Sequence, residues 1–305
     1  MFLIYKYFMQ DINISRQDKF NKNYVRHNTN RFKGFPVFSS IELNIHGSCN
    51  RRCAFCPRVD ETQWPNLDEM LDLEFFKKLL SELKNNNYKG RIGFSGFSEP
   101  FLHPQLVDIV KLHKEFLPDN RLEITTNGDY LNEEIVKKLF DNGLYGIKVS
   151  LYTNQKNQIK FEKIRDNLKI ESDRFFVRGR NKGSKNDFGL VLNNRAGSVN
   201  YERIGKFQKK TLPLKQGCNY PMFKIFIDYN GDCLLCSNDW AKKKIIGNAK
   251  KQSIYEIWIN EKINAVRKKL LNNDRNESPC DKCDVDGLLN GTEFSKLWES
   301  SFNAR

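Results

Sequence analysis

Eight cysteines carry the most specific chemical signal in the sequence: Cys49, Cys53, Cys56, Cys218, Cys233, Cys236, Cys280 and Cys283. The apolar start Met1–Met9 is interrupted by Lys6, with no charged leader before it and no small-residue cleavage site after it. The chain is therefore expected in the cytoplasm, where thiols persist as thiols. Close-spaced cysteines there point to metal or redox chemistry, and a soft thiolate set selects zinc or iron–sulfur. The first group reads Cys49-Asn-Arg-Arg-Cys53-Ala-Phe-Cys56, a C-x3-C-x2-C spacing that no fourth cysteine or histidine follows within a zinc-ligand spacing. A structural zinc wants four closed ligands. Three thiolates on a four-iron cubane leave one iron open to bind a substrate.

The surrounding elements decide where such a loop sits. Ile41–Ile45 alternates as a strand, so the thiols follow its C-terminal end, where active sites of parallel α/β folds lie. Arg91–Ser95, Leu122–Thr126 and Gly146–Leu151 read as further strands, with two more near Arg174–Arg178 and Phe188–Asn193. Apolar residues recur at helical spacing in Leu71–Lys84, Pro104–Phe116 and Asn132–Phe140. Strand and helix in alternation predict an α/β chain with a parallel sheet and right-handed crossovers. Gly96-Phe-Ser-Glu-Pro100 and Asn127-Gly128 follow two of the strands; each alone would be only a turn.

Taken in order, these motifs resemble those of the radical S-adenosylmethionine (SAM) enzymes. Their hallmark is C-x3-C-x-aromatic-C, with Phe55 in the aromatic place. The resemblance implies a partial (β/α)6 TIM-like barrel in which Cys49, Cys53 and Cys56 hold a SAM-binding [4Fe-4S] cluster. Phe55 would lie near the adenine. Gly96, Ser98, Glu99 and Pro100 match the family's G-G-E-P segment, which binds the SAM amino group, with Ser98 replacing a glycine. Thr126 and Asn127 would line the SAM pocket, and Ser150 would meet the ribose. A flavodoxin- or ferredoxin-type electron donor is implied as well.

The C-terminal third predicts a second metal site. Cys218 precedes an alternating strand, Phe223–Asp228; Tyr229-Asn-Gly-Asp232 is a hairpin signal, and the returning strand carries Cys233-Leu-Leu-Cys236. A helix over Ile254–Leu271 and then Pro279-Cys-Asp-Lys-Cys283 complete the region. From spacing alone, two C-x2-C pairs also suit a zinc ribbon. The segment resembles the SPASM/twitch region of the family, which implies one auxiliary [4Fe-4S] cluster on Cys218, Cys236, Cys280 and Cys283, with Cys233 a spectator. Leu190–Gly197 is similar to a segment of alcohol-oxidising members, in which the residue matched by Arg195 touches the alcohol. A guanidinium is not a base, so Arg195 would hydrogen-bond the hydroxyl, stabilise a developing alkoxide or clamp an anionic group.

The 305 residues, 39% of them hydrophobic, supply a sizeable core, and no run approaches the roughly 20 apolar residues of a membrane helix. Lys and Arg number 51 against 37 Asp and Glu, a net charge of +14 that favours anionic partners: nucleic acid, phosphorylated metabolites or acidic lipid heads. Charge runs are mostly solvated helix faces and turns, and the expected substrate is a small molecule, anionic or phosphorylated if that charge bears on it. No nucleic-acid module signature accompanies that charge. The expected organisation is a basic N-terminal extension (1–36), a radical SAM partial barrel (37–205), a twitch-type iron–sulfur domain (206–289) and a C-terminal tail (290–305). His46, His103 and His113 are assigned structural or surface roles. Three functions fit: oxidation of a sugar, cyclitol or sugar-nucleotide alcohol, radical maturation of a peptide, or a non-catalytic zinc- or RNA-binding module.

Overall fold

The computed structural model describes residues 12–27, 30–152, 155–179, 193–200 and 210–304. Helix α1 (Ile12–His27) and a small antiparallel pair, β1 (Arg31–Phe32) and β2 (Phe35–Pro36), precede a repeating strand–helix run. That run is β3 (Ser40–Leu43), α2 (Leu73–Asn85), β4 (Arg91–Phe94), α3 (Leu106–Phe116), β5 (Arg121–Thr126), α4 (Glu133–Asp141), β6 (Gly146–Leu151), α5 (Gln155–Asn167) and β7 (Phe175–Gly179). Asp72 and Asn132 start α2 and α4 by accepting the amides of Phe75 and Ile135, as capping side chains do.

Strand alternation sorts the side chains into two layers. Ile41, Leu43, Ile92, Phe94, Leu122, Ile124, Ile147 and Val149 are all essentially buried and join Phe76, Leu80, Ile109, Val110, Val136 and Leu139 of the helices in one core. Each such side chain contributes about 1.5–3 kcal/mol of transfer free energy. The alternate residues form a polar concave layer. There Lys148 and Arg91 pair with Glu123, each at 3.3 Å, and Lys224 pairs with Glu42 at 2.6 Å.

Three further strands extend the sheet: β8 (Lys224–Ile227), β9 (Asp232–Leu234) and β10 (Ile245–Asn248), giving the order β10-β9-β8-β3-β4-β5-β6-β7. Strands β8 through β7 are parallel, whereas β8-β9-β10 is antiparallel. The α/β partial-barrel expectation holds, and the hairpin forms where Asn230-Gly231 turns, with Gly231 at φ 89°. Strand β8 does more than form that hairpin: it lies beside β3, Ile41 opposite Ile225, so the C-terminal region continues the barrel sheet. The strand expected over Phe188–Asn193 falls almost entirely outside the described residues.

The stretch read as one helix is two, α7 (Ile254–Ile259) and α8 (Glu261–Leu271). Asn260 breaks it by accepting the Ile263 amide at 3.1 Å while its own amide donates to Ile246 O at 2.7 Å. The expected tail holds helix α9 (Thr292–Asn303), whose buried Trp298 donates to Met222 O at 2.8 Å. Helix α1, in the basic extension, closes the N-terminal end of the sheet: Arg16 pairs with the buried Glu123 at 3.3 Å and lies over Phe176.

Candidate active site

The three N-terminal thiols sit in a loop braced from every side. Asn66 accepts the Cys49 amide and donates to its carbonyl, each at 3.1 Å. Asn50 and Arg51 both bind Asp129, just past β5, at 2.7 Å, and Asn127 donates to Asn50 at 2.7 Å. Buried Arg58 donates to the carbonyls of Gly47, Pro65 and Phe97, tying the loop to the Gly96–Pro100 segment. Neither Arg58 nor Asp129 was singled out by sequence reasoning. Asp129 follows the Thr-Asn-Gly run and could have been, whereas a buried arginine leaves no periodic signal.

A pocket joins this loop to the strand ends. Its walls include Cys49, Cys53, Phe55, Cys56, Gly96, Ser98, Glu99, Thr126, Asn127, Ser150 and Arg195, which is every candidate of the first site except Pro100. Pro100 starts the short 3-10 turn behind Glu99. The serine at the usual glycine position is accommodated, because Ser98 Oγ donates to Asn44 Oδ1 at 2.6 Å. Gly96 needs to be glycine: its φ is 129°, and a Cβ there would meet the Phe226 ring at 2.8 Å. Phe55 and Tyr152 pack ring to ring at 4.9 Å.

Glu99 is 2% exposed and has no cationic side chain paired with it among the described residues. It accepts Thr126 Oγ1 at 2.7 Å and the Asn127 amide at 2.8 Å. Burial nevertheless lifts its pKa from 4.5 to about 7. A carboxylate so placed awaits an ammonium group, such as the amino end of an amino acid. Burial also raises the thiols, Cys53 to about 11, where Cys56 and Cys49 add to the shift. Three soft donors that repel one another as anions suit a cationic iron–sulfur core.

The second group is assembled from three segments. Burial raises Cys218 to about 11, Cys280 to about 12, and Cys236 and Cys283 in the same direction. After burial, Cys283 raises Cys218, Cys218 and Cys283 raise Cys280, and Cys283, Cys280 and Cys218 raise Cys236, which places these four in one electrostatic group. Cys233 stands apart: it is fully buried against the hairpin, raised by burial, and coupled to Asp232 and Glu82 instead. Among the described residues no three Cys, His, Asp or Glu side chains converge closely enough to hold a single metal ion.

Arg195 lies between the two groups. Burial raises Cys56 and Cys283, and the Arg195 charge lowers both. Its Nη1 donates to Asn238 at 3.1 Å, two residues past Cys236. Its neighbour Asn194 donates to Asp284 Oδ1 at 2.9 Å and to Lys282 O at 2.6 Å, clamping the loop to the Cys280–Cys283 segment. The histidines fall outside the pocket lining: His46 Nδ1 accepts the Ser48 amide at 3.0 Å, His103 bonds Leu71 O at 2.9 Å, and His113 is buried in α3.

The fold and the thiol trio at its strand ends define a SAM-cleaving iron–sulfur enzyme. The radical SAM superfamily model matches residues 43–176, and that of the SPASM iron–sulfur cluster-binding domain matches residues 218–284. The chain belongs to the radical SAM superfamily. It is 30% identical over 248 residues to the S-adenosyl-L-methionine-dependent 2-deoxy-scyllo-inosamine dehydrogenase of Niallia circulans, spanning 81% of this chain and 93% of that protein. The crystal structure of BtrN in complex with AdoMet and 2-DOIA superposes with a TM-score of 0.69 at 27% identity, covering 83% of this chain and 95% of that one. A GTP 3′,8-cyclase of Clostridium perfringens is 27% identical over 120 residues, 39% of this chain. The protein is thus a radical SAM oxidoreductase whose cofactors are a SAM-binding [4Fe-4S] cluster, an auxiliary cluster and SAM. No helix of the described residues is long and apolar enough to cross a membrane.

Proposed function

We propose that this chain oxidises a secondary alcohol of a cyclitol or sugar to a ketone. The observation that carries the reading is the position of Arg195, on the pocket wall between two thiol groups and clamped through Asn194 to the second. The likeness to a 2-deoxy-scyllo-inosamine dehydrogenase over most of both chains points to the same substrate class.

In this reading Cys49, Cys53 and Cys56 hold the SAM-binding cluster, and Cys218, Cys236, Cys280 and Cys283 hold the auxiliary one. When bound, SAM and its cluster supply a carbon radical that takes a hydrogen atom, and the auxiliary cluster supplies an acceptor for the second electron. Glu99 binds the SAM ammonium as a carboxylate, the Phe55–Tyr152 pair packs against the nucleoside, and Ser150 holds the ribose. Arg195 donates to the substrate oxygen as the hydroxyl proton leaves to solvent. It stabilises the developing alkoxide and orients the adjacent C–H. The concave layer does not add to the case for an anionic substrate, since Arg16, Arg91 and Lys148 are paired with Glu123, and Lys224 with Glu42. The electron donor is a flavodoxin- or ferredoxin-type protein of the cytoplasm.

Anaerobic turnover with a panel of cyclitols and sugars tests this. One 5′-deoxyadenosine per ketone is expected. 5′-Deoxyadenosine release without oxidation of any polyol would overturn the reading.

A further inference from the structure

Arg275 is only 2% exposed, yet it carries a charge that no side chain of the described residues balances. Its Nη1 donates to Val285 O at 2.9 Å, two residues after Cys283, and its Nη2 donates to Gly217 O, one residue before Cys218. The guanidinium therefore staples together the two segments that bring Cys218 and Cys283 into one group. Its Nε–H is buried with no hydrogen-bond partner among the described residues, and none of their ion pairs in this region includes it. Two backbone carbonyls could be bridged by a neutral amide. A buried positive charge, however, needs an anion.

Arg267 shows the alternative solution a few residues away. It is fully buried as well, but lies 3.9 Å from the Trp258 ring centroid and 3.7 Å from that of Trp298, whose faces compensate its charge. Arg275 has no such aromatic face among the described contacts. Of the acids near the thiols, Asp239 accepts the amides of Lys243 and Lys244, and Asp284 accepts that of Asn194. Among the described residues Asp281, between Cys280 and Cys283, has a buried Oδ1 with no hydrogen-bond partner and forms no ion pair with Arg275. What remains beside Arg275 is the thiol group itself. The two carbonyls it holds flank the ligands: Gly217 directly precedes Cys218, and Val285 lies two residues past Cys283.

We propose that Arg275 is the built-in counter-ion of the auxiliary cluster and holds its reduction potential up, so that it accepts the substrate's second electron. The proposal rests on the ligand set Cys218, Cys236, Cys280 and Cys283. A cubane on four thiolates is anionic in both redox states and gains one more negative charge on reduction. A fixed cation in a dry site therefore stabilises the reduced form more, and net charge and hydrogen bonding near the sulfurs are among the recognised determinants of potential. The balance closes: the alcohol loses one hydrogen atom to the deoxyadenosyl carbon, one proton to solvent and one electron to the auxiliary cluster, leaving a carbonyl.

The test is a redox titration of C49A/C53A/C56A protein, which keeps only the auxiliary ligands. It is reconstituted anaerobically and followed by electron paramagnetic resonance with dithionite and viologen mediators. About four irons per chain are expected in this host. R275M is expected to lower the reduction equilibrium at least tenfold, about 59 mV for one electron. R275K, which keeps the charge, should lie closer to the parent. In the otherwise intact enzyme R275M should lower the ratio of ketone to 5′-deoxyadenosine. Iron kept by R275K but lost by R275M also supports the counter-ion. A host with four irons and one potential in parent and R275M overturns the proposal alone. A host without iron overturns the ligand set and the proposal with it. Iron lost from R275K and R275M alike assigns Arg275 a scaffold role and overturns it too.

Discussion

The two thiol sites are built in opposite ways. The first is a single loop of eight residues, Cys49–Cys56, set at the end of one strand and braced by Asn66, Arg58 and Asp129. The second gathers Cys218, Cys236 and the Cys280–Cys283 pair from three segments across the β8–β9 hairpin and two helices. The first lies in an open pocket with a buried carboxylate beside it; the second lies beside the buried Arg275, whose guanidinium bridges the carbonyls of Gly217 and Val285. A site that must admit a cofactor and a reductant needs an opening. A site that only receives an electron gains from being dry, since a low dielectric strengthens every charge that tunes it.

Breaking the first site should have the largest effect. C56A is expected to abolish 5′-deoxyadenosine formation and to reduce iron from about eight to about four per chain, measured by product chromatography and iron analysis. C280A should lower iron to a similar extent while sparing SAM cleavage better than ketone formation; equal loss of both activities from C56A and C280A would erase the functional distinction between the sites. R195M should slow ketone formation by about a hundredfold or more, in line with loss of a charged transition-state donor. In R195M, 5′-deoxyadenosine made without ketone reports the uncoupling.

Smaller changes sharpen the picture. E99Q should weaken SAM binding by about tenfold or more, since a charge-assisted hydrogen bond is lost. In the SAM-free protein the Glu99 pKa is raised by burial from 4.5 to about 7. Its stabilising contribution is therefore complete below the unfolded value and lost as the pH rises through about 7. Thermal melts should show wild type losing stability relative to E99Q over roughly pH 5 to 7.5, with saturating SAM removing the difference. C233A should leave iron content unchanged, the smallest effect of the set; a loss of iron there would redraw the second site.

Much of this was legible in the residues. The strand–helix alternation from Ile41 to Arg178 and the C-x3-C-x2-C loop are local patterns, and the pocket collects nearly every residue named from them. The break at Asn260 was missed because one side chain that caps α8 and ties back to the Ile246 carbonyl of β10 outweighs a continuous apolar period. Arg58 and Arg275 were missed because a buried arginine has the same one-letter signature as a solvated one.

The sequence by itself determined the local chemistry: three thiolates at a spacing only one loop can close, a carboxylate three residues past Gly96, and a hairpin at Asn230-Gly231. Tertiary structure decided what lies between distant segments. It laid β8 beside β3, drew Cys218 to Cys283, separated Cys233 from its neighbours and clamped Arg195 between the two groups. The physical reason is range. Spacing and periodicity act over a few residues, whereas the field felt by a buried charge is set by whatever the fold packs against it.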